Sequence, residues 1–229
     1  GAPVDRQRLH PVGKRLKTLL VKVLCHQDFK GRPWIRIAHW LVMVSFPILF
    51  FTLVTGYAQI FSPDWALPLI GHFPPWEWLV EFIALASTIA IIGLIVVRSV
   101  NTAHGRKSRF TGSTRWQARF VEATIVAVVG CVDLLRVAES AWLSAAQHEQ
   151  SASWVHFPIF GWLGRPLGQG ANPDTLANVI AVLALVKILC SMTWFVIVGL
   201  QPSMGVACHR FLAFITIYAR KHDDGTSAL

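Results

Sequence analysis

The sequence predicts an all-α integral membrane bundle of four transmembrane helices with an amphipathic helix at its interface. Three observations carry that expectation. Apolar residues make up 54% of the 229-residue chain and charged residues only 14%, where a soluble domain carries about 25% charged residues; mean hydropathy is +0.50. Four apolar runs approach or exceed the ~20 residues that a bilayer core requires. Finally, 18 of the 21 Lys and Arg residues fall in segments that would share one membrane face.

The elements follow in order. Residues 1–33 form a basic segment in which Leu16, Leu19, Leu20, Val23 and Leu24 recur at helical spacing among Lys14, Lys17 and Lys22. That pattern predicts a short amphipathic helix on the cytoplasmic leaflet. Residues 34–203 form the transmembrane domain. Helix A runs from about Trp34 to Phe61, helix B from about Trp76 to Val97, helix C from about Arg119 to Leu143 and helix D from about Thr175 to Leu200. The loop between C and D is rich in Gly and Pro and is expected to fold over the outer surface. Pro202 and Gly205 predict a break after helix D. Residues 204–229 form an interfacial tail: an apolar stretch, Phe211–Tyr218, and then a polar ending. The chain begins with Gly, not Met, and reads as a piece of something longer.

Orientation follows from the basic residues. They precede helix A, fill the B–C loop and recur in the tail, whereas the A–B and C–D loops hold only Arg165. The positive-inside rule puts both ends and the B–C loop in the cytoplasm, as in a multi-pass plasma-membrane protein. Trp65, Trp76, Trp78, Trp142, Trp154 and Trp162 gather towards the outer side, and Trp34, Trp40 and Trp116 towards the inner. Indole rings favour the headgroup level, where one edge is apolar and the N–H finds a partner.

Some functions are excluded. The net charge of +9 does not signal nucleic acid, because the basic residues bunch between apolar runs and no Walker loop, GxGxxG or basic recognition helix is present. The four cysteines form no CxxC or CxxCH, so this chain carries neither an iron–sulfur cage nor covalently attached haem. Cys131 and Cys190 read as small buried hydrophobes.

The candidate chemistry lies in a few residues. His39 is the one histidine within a spanning run, with Arg36 one turn before it and Arg32 another turn back. A buried imidazole suits axial ligation of b-type haem, and nearby arginines suit its propionates. His209, or Met204 through its thioether, is the candidate for the opposite ligand. No second pair can be assembled in the outer half, so two stacked haems are not expected. Asp133, Arg136 and Glu139 share helix C, and Lys187 lies near the middle of helix D. Asp133 and Lys187 sit at similar depth, roughly 17 Å from the outer helix ends. They read as an ion pair or as a proton or quinone-head site. His72, His104, His148 and His156 belong to loops and receive no chemical role.

Several motifs in order resemble a known family. They are Arg36-Ile-Ala-His39-Trp40, Leu67-Pro-Leu-Ile-Gly-His72-Phe73, Ser108-Arg-Phe-Thr-Gly-Ser113 followed by Trp116-Gln-Ala, Lys187-Ile-Leu-Cys-Ser-Met192, and Met204-Gly-Val-Ala-Cys-His-Arg-Phe-Leu-Ala-Phe214. Together they resemble the membrane domain of actinobacterial iron–sulfur-binding reductases, proteins similar to electron transfer flavoprotein dehydrogenase and to heterodisulfide reductase subunits. The resemblance covers nearly the whole chain. It implies a membrane part related to the nitrate reductase gamma subunit, with a fifth helix ahead of the basic segment that this chain lacks. A cytoplasmic [4Fe–4S] reductase part, also lacking here, would follow the tail. Electrons would pass from reduced electron transfer flavoprotein, through that iron–sulfur reductase and haem b, to menaquinone. The chain departs from the pattern at Cys208, where Trp is expected. Arg-x-x-His39-Trp40 with Thr55-Gly56 also echoes the cytochrome b subunits of hydrogenases and formate dehydrogenases, although helix B has no histidine. The rivals are a haem-free anchor that shapes a quinone groove and, with little support, a transporter.

Overall fold

The computed structural model describes residues 9–25, 31–105, 115–148, 150–201 and 205–219, with the backbone alone at 115 and 205–211. Among the described residues there are seven helices and no strand. In chain order they are α1 (Val12–Cys25), α2 (Pro33–Gln59), α3 (Pro74–Ala103), α4 (Arg115–Ala145), α5 (Gly161–Gly168), α6 (Pro173–Leu200) and α7 (Gly205–Tyr218).

The helix starts are written locally. Proline opens α2, α3 and α6, where its missing N–H has no intrahelical partner to lose. Asn172 caps α6, its side chain accepting from Asp174 N at 2.8 Å and Thr175 N at 3.3 Å. The break expected after helix D is present: α6 ends at Leu200 and α7 begins at Gly205. Inside α2, Pro47 interrupts the backbone bonding, while Ser45 and Thr52 donate back to the carbonyls of Val42 and Leu49, each at 2.8 Å.

Helices α2, α3 and α6 are each long and apolar enough to cross a membrane. Their outward faces carry large apolar side chains: Ile89 is 64% exposed, Phe82 59%, Val182 59% and Leu189 57%. Such faces contact lipid, since each of these side chains loses about 1.5–3 kcal/mol of burial free energy in water. The fourth long helix, α4, differs. It carries Arg119, Glu122, Asp133, Arg136 and Glu139, and composition alone does not mark it as a span. It is instead the hub of the bundle. Val129, Val132 and Leu135 are buried, and α3, α5 and α6 all pack on it.

Polar rungs tie α3 to α4 along their length. Arg98 Nε lies 2.7 Å from Glu122 Oε1, Thr88 Oγ1 donates to Asp133 Oδ2 at 2.7 Å, and Arg136 Nε donates to Glu81 Oε1 at 3.1 Å. Arg98 therefore belongs to the helix, which runs on to Ala103, and not to the loop after it.

The C–D loop contains the unexpected helix α5. Its glycines face α4 so closely that a Cβ at Gly164 would stand 2.5 Å from Val137 O and 2.6 Å from Ser140 Cβ. At the other pole, α1 packs against α7. Arg15 is buried there, its Nη1 donating to Tyr218 O at 3.1 Å, and Tyr218 Oη donates to Leu9 O at 3.2 Å. Leu16, Leu20 and Leu24 remain exposed on α1.

Candidate functional site

At the pole where α2 ends and α3 begins, a cavity of about 300 Å³ reaches into the bundle. Trp65, Trp76 and Trp142 give it aromatic walls, and Glu77, Glu139 and Lys187 give it charge. The pole is the one remote from the basic segments.

Glu77 stands in the first turn of α3, where the helix dipole favours a carboxylate. It is 5% exposed. Its Oε2 lies 2.6 Å from His156 Nδ1, and its Oε1 lies 3.9 Å from His72 Nδ1. One turn deeper, Glu81 is fully buried. Glu81 Oε1 lies 3.1 Å from Arg136 Nη2, and Oε2 accepts from the backbone N–H groups of Ile159 and Phe160 at 2.8 and 3.1 Å. Arg136 also donates to Glu139 Oε2 at 2.8 Å and to His156 O at 2.6 Å, and its guanidinium sits 4.1 Å from the centre of the Phe157 ring. Gln59 Nε2 completes the set by donating to Glu139 Oε1 at 2.5 Å. One arginine thus bridges two carboxylates and, through the His156 carbonyl, fastens the segment after α4 to the start of α3.

Lys187 enters the cavity from α6. It is 2% exposed, and its Nζ donates to Thr52 O at 2.8 Å. The side chain lies across Gly56, where a Cβ would come within 2.9 Å of Lys187 Cε. A glycine on α2 therefore makes the notch that admits the lysine. An ammonium has three N–H donors; the backbone carbonyl takes one.

The expected Asp133–Lys187 ion pair does not form. Equal depth was not sufficient, because the two side chains leave the bundle axis in different directions. Asp133 turns to Thr88 on α3, with Oδ1 buried and without a hydrogen-bond partner, whereas Lys187 turns to Thr52 on α2. Arg136, the third residue of that expectation, is paired with Glu81 and Glu139.

At the basic pole, His39 is half-buried on α2, while Arg32 and Arg36 are exposed. His209 belongs to α7, but its side chain, Met204 and Cys208's side chain lie outside the described residues. The place of either candidate relative to His39 therefore lies outside the described structure. A separate cleft lined by Phe46, Leu49, Val129 and Trp194 is apolar and holds about 80 Å³. Among the described residues no group of three His, Cys, Asp or Glu could hold a metal ion.

Glu77, Glu81 and His156 are the site residues that sequence reasoning missed. Two carboxylates one turn apart inside an apolar helix were a usable signal, since buried charge demands partners; the loop histidine gave none. His148 stacks on Trp142, the ring centres 6.4 Å apart, and His104 Nδ1 lies 2.8 Å from Val100 O. Comparison of the chain with models of known protein families, with curated proteins and with solved structures finds no match.

Proposed function

We propose that this chain is the membrane module of an electron-transfer oxidoreductase, passing electrons from a cytoplasmic iron–sulfur reductase, supplied by electron transfer flavoprotein, to menaquinone. In this reading α4 is the fourth span of a plasma-membrane bundle. Its charges are tolerated because they turn towards α3 and the cavity. Helix α1 lies on the cytoplasmic leaflet, and both ends of the chain are cytoplasmic.

The observation that carries the reading is the cavity. A quinone head is a flat ring with two carbonyl oxygens. Tryptophan walls suit the ring, and the Lys187 ammonium suits an oxygen that becomes more negative as electrons arrive. Reduction also consumes two protons, and the imidazole–carboxylate pair of His156 and Glu77 is a hydrogen-bonded store for them.

Haem b belongs to the same proposal through His39, with His209 or Met204 opposite and Arg36 and Arg32 towards the propionates; bound there, it would supply one-electron transfer. The second reading is a haem-free anchor and quinone scaffold, which the same tryptophan-walled cavity would serve. A reduced-minus-oxidised spectrum of the purified protein separates the two, since stoichiometric b-type bands exclude the anchor.

Quinone binding is tested through the tryptophans. Titration with menadione quenches their fluorescence in the wild-type protein, and Lys187→Met, which keeps the length of the side chain and removes its charge, weakens the binding roughly tenfold. Equal affinity in a folded Lys187→Met protein overturns the assignment.

A further inference from the structure

Glu77 differs from the other carboxylates of the cavity. Glu81 and Glu139 are both held by Arg136. Glu77 instead sits between two imidazoles, His156 at 2.6 Å and His72 at 3.9 Å. A carboxylate that serves only to balance buried charge is expected to face a permanent cation. A carboxylate between two histidines faces rings that can both donate and accept a proton.

Exposure sets the carboxylate apart from the two histidines that flank it. The side chain of His72 is 74% exposed, that of Glu77 6% and that of His156 26%. All three line the cavity. We infer that His72, Glu77 and His156 form a proton path that connects the cavity to the solvent at the pole remote from the basic segments. His72 collects a proton from water. Its 3.9 Å separation from Glu77 is closed by one water or by a turn of the exposed ring. Glu77 passes the proton to His156 across the shorter contact, and His156 presents it to the cavity. The charged groups around Glu77 leave the path clear: Arg136 is engaged by its two carboxylates and the His156 carbonyl, and Lys187 by Thr52.

The inference rests on the quinone reading and adds sidedness to it. Menaquinone takes two electrons from the reduced iron–sulfur partner and two protons through this path, giving menaquinol. The protons come from the compartment facing His72. The electrons come from the compartment facing the basic segments.

The test uses the chain together with its reductase in oriented proteoliposomes containing menaquinone, with a pH-sensitive dye trapped on the His72 side and reduced viologen as the electron source. Wild-type turnover raises the pH on the His72 side. His72→Ala, a change at an exposed position, slows turnover roughly tenfold or more, and imidazole added on the His72 side alone restores the rate. Glu77→Gln is equally slow and is not rescued by imidazole. Proton uptake on the basic side, or full-speed turnover in both variants, overturns the proton path and leaves quinone binding standing. A wild-type complex that neither binds menadione nor reduces menaquinone overturns the functional reading and the path together.

Discussion

The residue that holds the most polar structure together is Arg136. Replacing it by Gln leaves Glu81, which is fully buried, without its cation and takes from Glu139 its ion-pair partner. Breaking a buried pair from one side costs about 3–5 kcal/mol, so Arg136→Gln is expected to lower the unfolding midpoint in detergent by that equivalent. An unchanged midpoint refutes the pairing. Gly56 gives a second residue-scale expectation. Gly56→Ala pushes a methyl group against Lys187 Cε, and crowding of this kind costs about 1–3 kcal/mol. The displaced ammonium should also lose menadione affinity, which fluorescence titration measures. Sequence reading found Lys187, Asp133 and Arg136 because charges in apolar runs stand out. It misassigned the partners of Lys187 and Asp133 because depth along a helix is legible in sequence whereas the direction of a side chain around the helix is set by neighbours. The Gly56 notch shows why: nothing in Thr55-Gly56 alone announces that a lysine from more than a hundred positions away will lie across it.

At the scale of elements, starts and stops were the most legible part. Pro33, Pro74 and Pro173 sit at helix starts, and Asn172 is a side-chain cap whose loss is measurable. Asn172→Ala is expected to cost about 0.5–2 kcal/mol, seen as faster hydrogen exchange in the first turn of α6. Helix α5 was not legible. Eight residues with three glycines and a proline look like loop, and only contact with α4 makes them a helix. Gly164 decides that contact. Gly164→Leu should lift α5 from α4 and open the segment at 150–172 to limited proteolysis, and a cleavage pattern like that of the wild type counts against the packing. Helix α4 illustrates the converse. Its charges weaken its signature as a span, yet they are the groups that bind α3 and the cavity wall.

For the whole molecule, composition was the strongest guide to the class, and the three apolar helices agree with it. Sidedness rests on charge distribution and is open to direct measurement. In a background without native cysteines, His104→Cys and Asp64→Cys place single thiols at opposite poles. An impermeant maleimide added to intact cells is expected to label position 64 at once and position 104 only after lysis; the reverse order inverts the orientation. The rungs between α3 and α4 carry one more implication, for motion. Arg98 with Glu122, Thr88 with Asp133, and Glu81 with Arg136 are unequally spaced along both helices. If one helix slid past the other by a turn, Arg98 would part from Glu122 and Asp133 from Thr88 at once, and the orphaned carboxylates would be stranded in a medium of low dielectric. The two helices therefore behave as a keyed shaft, barred from sliding. Whatever motion admits a ligand is expected to leave this register intact.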